Sequence, residues 1–106
     1  MLIYRIKAIK DFSAAKAGDL GGFVESESNL SHEGDCWISG NARVYAKAKV
    51  TDNARIYGEV CDNAMVNGTS RVCGKVMGNA NIYDEFIDRG EVVSSDDEDS
   101  EKKLLS

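Results

Sequence analysis

The stretch from Asn29 to Ser94 repeats itself, and this periodicity constrains the chain more than any other feature. Divided into units it reads NLSHEG, DCWISG, NARVYA, KAKVTD, NARIYG, EVCD, NAMVNG, TSRVCG, KVMG, NANIYD, EFIDRG and EVVS. Most units have six residues, and three have four. From Lys47 onward, six plus six plus four residues return the chain to its starting pattern, giving blocks at 47–62, 63–78 and 79–94. Internal repeats of fixed period take precedence over local helix or strand propensity.

Two columns run through the units. The second position holds Leu30, Cys36, Ala42, Ala48, Ala54, Val60, Ala64, Ser70, Val76, Ala80, Phe86 and Val92, mostly small or aliphatic. The fourth holds Ile38, Val44, Val50, Ile56, Val66, Val72 and Ile82. The residue between them is usually polar or long, such as Arg43, Lys49 or Arg71. Apolar, polar, apolar over three residues is a short strand with one buried face. The remaining positions are turn chemistry: Gly40-Asn41, Asp52-Asn53, Asp62-Asn63 and Gly78-Asn79 tolerate the left-handed backbone of a sharp corner. Short strand and corner, three times per turn, predict an all-β, single-domain triangular coil. Like residues stack: Ala48 over Ala64 over Ala80, Val50 over Val66 over Ile82, Val60 over Val76 over Val92. The four-residue units shorten one side of the triangle and leave its fourth position empty. Period six does not place the apolar residues on one helical face, so no helix reading survives.

Alternating aliphatic and small inward positions at this spacing resemble the left-handed parallel β-helix of hexapeptide-repeat proteins. NARVYA, NARIYG and the lead-in GDLGGFVESESNLS at 18–31 resemble the NARVYG repeats of small bacterial and phage proteins. The resemblance implies a parallel β-helix of about four coils. Left-handedness is implied by the resemblance alone, because the periodicity fits either hand. It also implies oligomers, a trimer ahead of a dimer.

The formal net charge of −5 argues against general nucleic-acid binding, which calls for a basic surface. Much of the imbalance is local: Glu91, Asp96, Asp97, Glu98, Asp99 and Glu101 face only Lys102 and Lys103, so residues 1–90 are nearly neutral. MLIYRIKAIK mixes charge into every turn, so neither a signal peptide nor a membrane span is expected. Three cysteines, Cys36, Cys61 and Cys73, lack metal-ligand spacing and suit a reducing cytoplasm. Residues 1–22 read as an N-terminal strand and cap, 23–94 as the coil, and 95–106 as an acidic disordered tail. Asp88 falls at a fourth position, where the coil is expected to end.

The chain offers few groups for chemistry. His32 is the single histidine. Hexapeptide-repeat acyltransferases use one histidine as general base, so the resemblance offers a reduced acyltransferase-like enzyme acting through His32. Against this, those enzymes carry longer helices and acceptor loops, and His32 shows no fixed carboxylate partner in the sequence. A zinc site would need several histidines, so no metal is expected. Cys36 falls in the buried small-residue column. Gly18, Gly21 and Gly22 make no phosphate loop, and no cofactor is expected. One outward column stacks Trp37, Arg55 and Arg71, with Tyr57 and Cys73 beside it. It reads either as a solvated β face or as a binding strip, since Trp, Tyr and Arg dominate interfaces. The acidic run at Asp96, Asp97, Glu98 and Asp99 is either a solubilising tail or a nucleic-acid mimic. The expectation from sequence is therefore a non-catalytic module that binds another protein or its own copies, and the resemblance to phage proteins implies a host-directed inhibitor, such as an anti-defence protein or nucleic-acid mimic, as one form.

Overall fold

The computed structural model describes residues 2–8, 11, 15–31 and 34–95. His32 and the acidic residues Asp96, Asp97, Glu98 and Asp99 lie outside this range. The described chain is a parallel β-solenoid. Its strands are β1 (Tyr4–Lys7), β2 (Leu20–Val24), β3 (Trp37–Ile38), β4 (Arg43–Val44), β5 (Lys49–Val50), β6 (Arg55–Ile56), β7 (Glu59–Val60), β8 (Met65–Asn67), β9 (Arg71–Val72), β10 (Lys75–Gly78), β11 (Asn81–Tyr83), β12 (Phe86–Ile87) and β13 (Val92–Ser95). They form three sheets, one per side of the coil. Sheet A runs β1-β2-β4-β7-β10-β13, sheet C runs β5-β8-β11, and sheet D runs β3-β6-β9-β12. Among the described residues one 3-10 turn, Glu27–Asn29, interrupts the strands. No helix among the described residues is long and apolar enough to cross a membrane.

Every pairing between successive coils is parallel, and β1 alone runs antiparallel to its neighbour β2. Three aliphatic columns fill the interior. Sheet A supplies Val24, Val44, Val60, Val76 and Val93; sheet C supplies Leu30, Val50, Val66 and Ile82; sheet D supplies Ile38, Ile56, Val72 and Ile87. Small residues fill the positions before these strands, where the coil is narrow: Ala48, Ala64 and Ala80 on one side, Cys36, Ala54 and Ser70 on another. Each fully buried Val or Ile contributes roughly 1.5–3 kcal/mol relative to exposure, and the stack multiplies that term.

Corners stack as well. Ala46, Asp62 and Gly78 share one column, all with φ near +60°. Gly34, Asp52, Gly68 and Asp84 share another, with φ between 54° and 75°. The aspartates do more than tolerate the left-handed backbone. Oδ2 of Asp52 accepts from the Gly68 N–H and Oδ2 of Asp62 from the Gly78 N–H, both at 3.0 Å, so each side chain ties its coil to the next. At the first coil the 3-10 turn carries Asn29 into the interior. It is fully buried, with Oδ1 accepting from the Glu25 and Ser26 amides and Nδ2 donating to the Ala46 and Ala48 carbonyls.

The register departs from the sequence reading in three places. Val60 and Val76 pair with Val44, so they belong to the fourth-position column rather than the second. The four-residue units therefore lack their first two residues, and Gly58 and Gly74 stand where Ala42 stood. A Cβ on Gly58 would run into the Gly74 carbonyl oxygen, so this abbreviated corner admits only glycine. Leu30 bridges Val50 and is likewise a fourth-position residue. In the last coil, Arg71 pairs with Phe86 and Lys75 with Val92, so the spacing contracts by one residue and then recovers two. Phe86 and Val92 consequently face out, at 58% and 61% exposure, while Ile87 and Val93 face in. Asp88 is not a fourth-position residue, because Ile87 holds that place.

Candidate functional site

The outward column on sheet D exists as the sequence suggests: Trp37 pairs with Arg55, Arg55 with Arg71, and Arg71 with Phe86. Its first member is not a surface residue. Trp37 is 7% exposed and packs with Ala8, Ala15 and Ile6 beneath the N-terminal segment. Gly21 lies against its ring, where a Cβ would stand 2.6 Å from an indole carbon. Trp37 thus joins the packing of the first coil, and does not stand on the outer face where its place in the repeat suggests. Arg55 is half-buried, Arg71 and Tyr57 are exposed, and Cys73 is half-buried. Exposed Phe86 extends the column, a position the sequence reading had turned inward.

The corner where sheet A turns into sheet C carries more chemistry. An open groove of about 540 Å³ follows it, lined by Ala46, Lys47, Asp62, Asn63, Gly78, Asn79 and Ser94. Its floor is the left-handed corner column. Its polar wall includes Asn63, whose Nδ2 donates to Asn79 Oδ1 at 3.2 Å, and Lys47 supplies a cation. Asp62 sets one negative charge in the same lining, and the groove suits an extended ligand with amide groups.

Residues just before this corner form a linked polar network on the outer face of sheet A. The phenol of Tyr45 donates to the Glu59 carboxylate, and Lys75 Nζ lies 3.6 Å from Glu59 Oε2. The hydrogen bond to Glu59 pushes the Tyr45 phenol well above its ordinary range, and burial adds to this. Cys61 sits beside Tyr45 and is 4% exposed. Burial pushes its thiol up, with the neighbouring Tyr45 acting against the shift. Cys36 is raised too, chiefly by burial, and its Sγ lies 3.3 Å from the Ser31 carbonyl oxygen. Among the described residues no three His, Cys, Asp or Glu side chains are grouped to hold a metal ion. Sequence reasoning missed the Tyr45–Glu59–Lys75 network because it aligned Val60 with the wrong column. Aligning Val60 with Val44 stacks Arg43, Glu59 and Lys75 with alternating sign, which is the signal that reveals the pairing.

No protein-family profile matches the chain. The chain is 34% identical over 93 residues to a protein of Escherichia coli (strain K12) named as the uncharacterized acetyltransferase YdcK. The match covers 87% of the chain and 24% of that protein, so the chain spans about a quarter of its relative's length. A stretch that long cannot fit in 106 residues without taking in the coils from Trp37 to Ile87. This corrects the expectation of a non-catalytic module. The chain is similar over most of its length to a protein named for an enzymatic activity, so the sequence argument against catalysis does not hold.

Proposed function

We propose that this chain contributes the β-solenoid of an acetyl-transfer enzyme, which moves an acetyl group from a thioester donor to an acceptor. The observation that carries the reading is the extent of the likeness: 87% of the chain, stacked coils included, matches a protein named as an acetyltransferase. The corner groove supports it, since Asn63, Asn79 and Lys47 offer hydrogen bonds to an extended donor with amide groups. His32 is the general base the sequence provides. Its neutral imidazole would take the proton of the acceptor as that group attacks the thioester carbonyl, and the thiol then leaves with a proton.

The test is titration calorimetry with acetyl-coenzyme A, together with an assay for released thiol. Saturable binding and acceptor-dependent thiol release are expected. His32→Ala should keep the binding and lose turnover by about a hundredfold or more, the usual scale for a general base. Lys47→Glu should weaken donor binding while leaving the fold intact. Absence of saturable binding, with thiol release no faster than the blank, would overturn the reading.

A further inference from the structure

Asn67 and Gly68 form the single Asn-Gly pair of the sequence. In an unfolded chain this dipeptide is the most labile kind of asparagine site, because glycine puts no side chain in the way of its own amide nitrogen. That nitrogen attacks Asn67 Cγ, an N–C bond forms, the bond from Cγ to Nδ2 breaks, and ammonia leaves. Water then opens the cyclic imide at either carbonyl and gives an aspartate or an isoaspartate. In the folded chain the groups of this reaction are already engaged. The Gly68 N–H donates to Asp52 Oδ2 at 3.0 Å, so the attacking nitrogen is held toward the preceding coil. The Gly68 carbonyl accepts from the Asn53 N–H at 2.9 Å, which fixes the same residue from its other side. Asn67 ends β8 and pairs with Tyr83 on β11, and an extended backbone keeps the next nitrogen rotated away from the side-chain carbon. The leaving group, Nδ2, donates to Asn81 Oδ1 at 3.4 Å. Oδ1, where negative charge gathers during the attack, is enclosed and accepts from no donor among the described residues.

We propose that Asn67 is a deamidation site kept latent by the fold, with Asp52 as its guard, and that it reacts when this corner opens. The Asp52 carboxylate acts in two ways. Its hydrogen bond holds the nitrogen in place, and its charge opposes the loss of the amide proton that must precede attack, because the resulting anion would face another anion. The modification also marks the corner. It places a new carboxylate in the coil between those of Asp52 and Asp84, and Asp84 Oδ1 already accepts from the Thr69 N–H and Oγ1 at 2.8 and 3.0 Å. Isoaspartate further lengthens the backbone by one carbon, out of step with the hydrogen bond from Asn53 to Gly68. A chain that has opened at this corner therefore keeps a covalent record of the event. The site lies between sheets C and D and is independent of acetyl transfer.

The experiment incubates the full chain at mildly alkaline pH and follows Asn67 by fragment masses of the tryptic peptide 56–71. Folded wild type should react at least about tenfold more slowly than the same chain in urea. Asp52→Gly, folded by circular dichroism, should react about tenfold faster than folded wild type, the scale of one lost hydrogen bond to a charged group. Glycine suits that corner, since Gly34 and Gly68 hold the same left-handed column. Asp52→Asn keeps an acceptor oxygen and should stay within about threefold of wild type. Asp62→Gly removes the matching tie of the other corner column, to the Gly78 amide at 3.0 Å, and should leave Asn67 at the wild-type rate. A folded Asp52→Gly that reacts no faster than wild type would overturn the proposal. So would equal acceleration by Asp62→Gly, or wild type that reacts as fast folded as in urea. If Asp52→Gly fails to fold, hydrogen exchange in wild type decides. In mild urea, deamidation of Asn67 should rise in proportion to exchange of the Gly68 amide, and a rise without that exchange would overturn the guard.

Discussion

Val66 shows what a single residue carries in this fold. It is fully buried, with Val50 beneath it and Ile82 above. Val66→Asp places a carboxylate in that column with no cation to meet it, a cost of several kcal/mol against a total stability of about 5–15 kcal/mol. The variant should lose its β signal in circular dichroism, and a soluble variant with the wild-type melting temperature would contradict this register. Tyr45 gives a pH-dependent counterpart. Its phenol is held above the ordinary value of 10.0 by Glu59, so the folded chain keeps a proton that the unfolded chain releases. The stabilisation is fully present below about pH 10 and is lost as pH rises above it. Tyr45→Phe should therefore be less stable than wild type at pH 7, and the gap in urea midpoint should close above pH 10. A gap that is constant with pH would show that the phenol proton plays no part.

At the scale of the element, the last coil separates what was legible in the sequence from what was not. Stacking of Val50 on Val66 on Ile82 was readable, because the sixteen-residue period holds there without interruption. The exposure of Phe86 was not readable. It depends on a corner shortened by one residue at Asp84, and a hexapeptide frame cannot distinguish that from a polar residue at an inward place. The structural register makes a sharp pair of expectations. Ile87→Asp should destabilise severely because Ile87 is 3% exposed, whereas Phe86→Asp should shift the melting temperature little. The reverse ranking would restore the unbroken hexapeptide frame. In the candidate site, the Arg55–Arg71 column was legible because both residues sit at the same place in their units. The burial of Trp37 was not, since it arises from contacts with Ala8 and Ala15, which belong to no repeat. The Tyr45–Glu59 pair was hidden for a related reason: its partners lie on successive coils and come together only when the four-residue unit is placed correctly.

For the whole molecule, the aspartate corners set a unit of length. Asp52 and Asp62 find their partner amides in the following coil and Asp84 finds its own in the preceding one, so a coil is defined by its neighbours and not by its distance from either terminus. The chain can therefore lengthen in steps of one coil, and any other step would separate each aspartate from its amide. Duplicating residues 47–62 should add one strand to each sheet, extend the molecule by about 4.8 Å, and raise its melting temperature. Adding eight residues at the same place should lower it, and equal effects from both insertions would disprove the step. Growth by whole coils makes the solenoid a ruler that can be extended without redesign, so a chain of 106 residues can correspond to a quarter of a much longer protein and still close every one of its corners.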